Sequence, residues 1–170
     1  MKAISLAMLS IAAVPLVSLV SVAACANDAQ SPPANEVEPV YASYLDAPQT
    51  PGTWVYVSEP GESLGLFGIP DPVHPFVIRC DTQTKRIGLA RRSKREGPLT
   101  MVVQTETTMR QLVANAVPGY GLVAAELDAA DPLLDAMAIT KGRFAIGVEG
   151  ERTLYIPAWA EVTRVIEDCR

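Results

Sequence analysis

Phe76-Val77-Ile78-Arg79-Cys80-Asp81-Thr82-Gln83-Thr84-Lys85-Arg86-Ile87-Gly88-Leu89-Ala90 is two short apolar runs divided by five polar residues. The spacing predicts strands over 76–80 and 86–90, joined by a connection of hairpin length at 81–85, and so an antiparallel sheet rather than a βαβ fold. Working outward, residues 53–58 put Trp54, Tyr56 and Ser58 on one strand face and Val55 and Val57 on the other. Between them and the hairpin, residues 59–75 are rich in Gly and Pro and read as a loop. Downstream, 99–105 and 122–127 read as strands; 109–116 fits helix or strand, and the bordering Pro118-Gly119 favours strand. A further pair of strands, 143–148 and 153–156, is joined by Glu149-Gly150-Glu151-Arg152.

Two helices carry start signals. Asp131-Pro132 sets a capping carboxylate before a proline whose missing N–H costs nothing in a first turn, with Leu133, Leu134, Met137 and Ala138 as the buried stripe and Lys141-Gly142 as the stop. Pro157 opens the last helix, where Trp159, Val162, Val165, Ile166 and Cys169 recur on one side. The fold class is therefore α+β: a mostly antiparallel β sheet or sandwich, a short helix near 132–140 and a C-terminal helix near 157–169.

The N-terminal stretch is of another kind. Lys2 is followed by an uncharged apolar run over 3–20. Its length approaches a membrane span, but Pro15 interrupts it and the small residues Ala23 and Ala24 follow, as signal-peptide cleavage requires. An uncleaved anchor helix is the competing reading. Val22-Ala23-Ala24-Cys25 resembles the lipobox of bacterial lipoproteins, an aliphatic and two small residues before a cysteine. The resemblance implies a signal peptide over 1–24, diacylglycerol on the Cys25 sulfur, and acylation of the freed amine. One acyl chain binds a bilayer only reversibly, whereas two or three, at about 0.8 kcal/mol per buried methylene, anchor it stably. Among such lipoproteins an Asp after the cysteine often signals inner-membrane retention; Ala26 stands here, so the expected location is the outer membrane, facing the periplasm, with the inner membrane as alternative.

If Cys25 carries lipid, Cys80 and Cys169 remain, and in an oxidising compartment two thiols read as one disulfide. A bridge closing a loop of roughly 90 residues stabilises by about 4 to 5 kcal/mol on the chain-entropy model. A metal site or reactive thiols are the competing readings, and His74, the only histidine, adds little to a metal site. Residues 26–52 carry Pro32, Pro33, Pro39, Pro48 and Pro51 with scattered acids, a composition that predicts a disordered, semi-extended tether. Tyr41, Tyr44 and Leu45 are its exceptions and would either dock on the domain or meet a partner. The globular domain is then 53–170.

Composition limits the partners. The formal net charge of −5 becomes one unit more negative once Lys2 is removed, which disfavours a general nucleic-acid or anionic-lipid binder. Gly61-Glu62-Ser63-Leu64-Gly65 matches the G-x-S-x-G elbow of serine hydrolases, yet Gly68, Pro70 and Pro72 exclude the helix that should follow, and His74 stands too near to be the base. No residue is assigned a catalytic role, and Ser63 is kept as the nucleophile of a low-ranked hydrolase alternative. Asp128, Asp131 and Asp135 lack calcium-loop spacing and suit a helix start. Arg91, Arg92, Lys94 and Arg95 form the one concentrated charge cluster. They are either a solvated turn or a surface for an anionic partner: lipopolysaccharide phosphate, a lipid headgroup, peptidoglycan carboxylates or an acidic protein.

Lipobox, small antiparallel domain and early-strand-to-C-terminus disulfide together resemble, in layout, the membrane-bound lysozyme-inhibitor lipoproteins. That resemblance implies an alternative role as a proteinaceous inhibitor of cell-wall hydrolases, although no Ser-Gly-rich inhibitory loop is present. The expected function is a non-catalytic, lipid-anchored envelope module that acts by binding, with no cofactor beyond the covalent lipid.

Overall fold

Asp81 turns the chain at the centre of the fold: its carboxylate accepts the backbone N–H groups of Gln83 and Thr84, both at 3.0 Å, and Lys85 takes the left-handed conformation that closes the turn (φ 56°). The same two bonds, that from Thr84 foremost, hold its pKa below the ordinary carboxylate value. The computed structural model describes residues 41–69 and 74–170, all within one compact unit. The signal peptide 1–24, Cys25 and the tether over 26–40 lie outside the described residues.

The strands are β1 (Thr53–Glu59), β2 (Glu62–Gly68), β3 (Phe76–Asp81), β4 (Arg86–Arg92), β5 (Leu99–Gln104), β6 (Met109–Val117), β7 (Leu122–Asp128), β8 (Arg143–Val148) and β9 (Leu154–Pro157). The helices are α1 (Pro132–Ile139) and α2 (Ala160–Asp168). One antiparallel sheet orders the strands β1-β2-β3-β4-β7-β6-β5-β8-β9. Strand β6 changes partner along its length, its residues 109–114 pairing with β5 and 115–117 with β7. The sheet folds over far enough for Phe76 of β3 to meet Phe144 of β8, ring centroids 6.1 Å apart. Its two ends also approach: Trp54 Nε1 donates to the Pro157 carbonyl at 2.9 Å, and the Thr50 N–H to that of Tyr155 at 2.9 Å. Phe67, Phe76 and Phe144 are fully buried in the shared core, each such side chain contributing roughly 1.5 to 3 kcal/mol of transfer free energy.

The loop expected over 59–75 is corrected: residues 62–68 are strand β2. Ser63, Gly65 and Phe67 form its inward face, and Gly65 is small because a Cβ there would press on the Trp54 ring at 3.3 Å and on Val165 of α2 at 3.5 Å. Glycine here serves close approach, not a turn. The last helix is corrected too. Pro157 ends β9, Trp159 is the N-cap and half-exposed, and only Val162, Val165, Ile166 and Cys169 of the expected stripe are buried.

Helix α2 packs against β1, β2 and β3. The Tyr56 hydroxyl donates to Asp168 at 2.8 Å, and the Arg164 guanidinium lies 3.8 Å above the Tyr56 ring, a cation–π contact. Cys80 and Cys169 form a disulfide, both residues buried, Cα atoms 5.5 Å apart. Helix α1 begins as its sequence dictates, with the Leu133 N–H donating to Asp131 at 2.8 Å. Residues 41–52, counted above with the tether, lie against β9: Ala47 is buried, its carbonyl accepts from the Arg143 guanidinium, and the Tyr41 ring stands edge-on to Tyr155.

Candidate functional site

Strand parity decides the fate of the basic cluster. Ile87 and Leu89 face the core, so Arg91, two residues on, does as well, whereas Arg92 faces out. Arg91 is only 6% exposed, which removes it from the expected anionic-partner surface. Its guanidinium donates to the carbonyls of Pro75 (3.3 Å), Arg92 (3.0 Å) and Arg152 (2.8 Å), gathering three chain segments. Burial lowers its pKa from the usual arginine value, and the nearby Glu151 carboxylate offsets part of that.

Glu151 shapes the next turn. It accepts the Ser93 hydroxyl at 2.8 Å and the Lys94 N–H at 3.0 Å, while Ser93 Oγ in turn accepts the Arg95 N–H at 3.0 Å. Ser93 is also fastened from the other side, its N–H donating to the Gly121 carbonyl at 3.1 Å, which extends the β4–β7 pairing by one rung. Arg95 pairs with Glu149 at 3.7 Å, a half-exposed contact worth little in stability. Arg95 also lies over Gly150, where any Cβ would run into its guanidinium. Arg92 and Lys94 remain exposed, with no side-chain partner among the described residues.

Residues 92–97 and the β6–β7 turn together line a groove of about 730 Å³. Tyr120, 72% exposed, stands on that turn. Tyr120, Glu96 and Glu151 were not singled out in the sequence; Pro118-Gly119 marks a turn, but only the Arg92–Leu122 register brings it beside the basic residues. A second hollow of about 350 Å³ lies between residues 48–51 and β9.

The other candidates scatter. Ser63 is 2% exposed as the second residue of β2, opposite Cys80, its hydroxyl without a hydrogen-bond partner among the described residues, so the G-x-S-x-G stretch is no strand-to-helix elbow. His74 is half-buried beside Gly68. Asp128 caps a turn through the Ala130 N–H, Asp131 meets Arg110 and Asp135 meets Arg170; among the described residues no group of three His, Cys, Asp or Glu is placed to hold a metal ion. No family model, curated protein or solved structure matches the chain.

Proposed function

We propose that the chain is a lipid-anchored, periplasm-facing envelope protein that binds an anionic envelope component without catalysing a reaction. The anchor is Cys25 with its diacylglycerol and amine-linked acyl chain, the membrane the outer one, and residues 26–40 the spacer. The observation that carries this reading is the buried Cys80–Cys169 bridge, since such a disulfide belongs to an oxidising compartment and leaves Cys25 as the odd thiol for lipid. Binding rather than catalysis is supported by two cations, Arg92 and Lys94, held out beside a groove, and by the burial of Ser63.

The test is mass spectrometry of the protein recovered from membranes. An N-terminal Cys25 carrying diacylglycerol is the expected species, and Cys25→Ser should release the protein into the soluble fraction. An unmodified Cys25 in membrane-free protein overturns the reading.

A further inference from the structure

We infer that the groove between residues 92–97 and the β6–β7 turn is a binding site for an anionic saccharide, phosphorylated or carboxylated. The inference rests on the proposed binding role and names its ligand class.

Charge comes first. On an acidic chain, Arg92 and Lys94 project at one wall with no ion pair among the described residues: Glu149 is engaged by Arg95, Glu151 by Ser93 and the Lys94 amide, and Glu96 of the same loop is exposed and pairs with neither cation. The loop is thus held by its glutamates in a shape that leaves two cations unpaired, and an anion is what that arrangement lacks. Space is the second observation. Gly119 and Gly121, both at positive φ (82° and 61°), would place a Cβ in open space with nothing within 4 Å, so the facing wall stays low. The volume, about 730 Å³, lies in the range of small-molecule sites.

Two further side chains separate a sugar from other anions. Tyr120 offers an exposed aromatic ring, the apolar body with a polar tip that suits the C–H face and hydroxyls of a pyranose. Glu96, also lining the groove, is an acceptor for sugar hydroxyls and repels a bare anion or a sheet of lipid phosphates. A concave site with its own carboxylate fits a discrete anionic sugar better than a flat membrane.

The experiment is isothermal titration of the full chain, purified in detergent, with three disaccharides: a phosphorylated glucosamine disaccharide, an N-acetylated one bearing a carboxylate, and an uncharged one. One or both charged sugars should bind saturably and the uncharged one at least tenfold more weakly, about the effect of one lost charge-assisted contact. The stronger of the two charged sugars identifies the source. Arg92→Ala with Lys94→Ala should cost roughly tenfold or more in affinity, and Tyr120→Ala several-fold, with unchanged urea midpoints because all three side chains are exposed. Absence of saturable binding, or binding indifferent to the double variant, overturns the inference. So does binding to phosphatidylglycerol vesicles that neither sugar displaces. The N-terminal mass, measured on the same preparation, keeps a failed anchor distinct from a failed sugar site.

Discussion

The two ends of the β3–β4 hairpin are fastened by different chemistry. At the turn end, Cys80 is bonded to Cys169, the Ala129 N–H donates to the Lys85 carbonyl, and Arg170 donates to the Ala129 carbonyl. At the open end no covalent bond exists, and one buried guanidinium with one glutamate gathers Pro75, Arg152 and residues 93–95. The first end carries a covalent cross-link that pH and salt do not break. The second is held by polar groups, and there the exposed cations and the groove are found. A ligand site built this way has a rigid base and an adjustable rim.

The largest effect should come from the covalent end. Replacing Cys80 and Cys169 by Ala is expected to cost about 2 to 5 kcal/mol in urea denaturation. A loss under about 1 kcal/mol would mean that α2 holds the hairpin without it. At the open end, Arg91→Met keeps the stem but removes all three bonds to carbonyls, although the Pro75 carbonyl retains the Arg92 N–H at 3.0 Å. Burying the cation is itself costly, yet its bonds to carbonyls contribute about 1.5 to 3 kcal/mol each, so a net loss of about 2 kcal/mol is expected. A neutral or stabilised variant would show that desolvation outweighs the bonds.

Asp131 tests the turn end by pH. Burial raises its pKa, but the bonds from Arg110 and the Leu133 N–H prevail and hold it below the ordinary carboxylate value. A carboxylate whose folded pKa is depressed stabilises fully above the unfolded value and loses that contribution as pH falls through the folded one. Asp131→Ala should cost about 1 kcal/mol at neutral pH, and Asp131→Asn should keep the cap yet show a shallower fall in stability below about pH 4. The smallest effect is Glu151→Gln, about 0.5 to 1 kcal/mol, read best as faster hydrogen exchange at the Lys94 amide with exchange near Cys80 unchanged.

Sequence reading reached the elements whose neighbours are local. The β3–β4 and β8–β9 hairpins, the α1 cap at Asp131 and the strand expected over 109–116 follow from period and turn chemistry, whereas the Gly and Pro of 59–75 conceal the β1–β2 hairpin. It failed where a residue's role is set by a distant one. Gly65 looks like a loop residue until Trp54 and Val165 lie against it, and Pro157 looks like a helix start until β9 needs it as its last rung. Arg91 was legible from parity, since Ile87 and Leu89 already point inward; treating 91–95 as one charged run hid it. The groove was not legible, because its walls meet only through the β4–β7 pairing.

The strand order sets a timetable for assembly. The first four strands join neighbour to neighbour and can form early, but β4 must wait for β7, and β5 for β8, before the sheet can fold over. Within the early meander Phe76 already has the Trp54 ring of β1 beside it, but until β8 delivers Phe144 its second ring partner is missing and that side of the core stays open. Joining Cys80 to Cys169, with an added disulfide oxidant such as oxidised glutathione taking up the two electrons and two protons, requires α2 to have reached β3, which makes the rate of thiol loss during oxidative refolding a clock for the docking of α2.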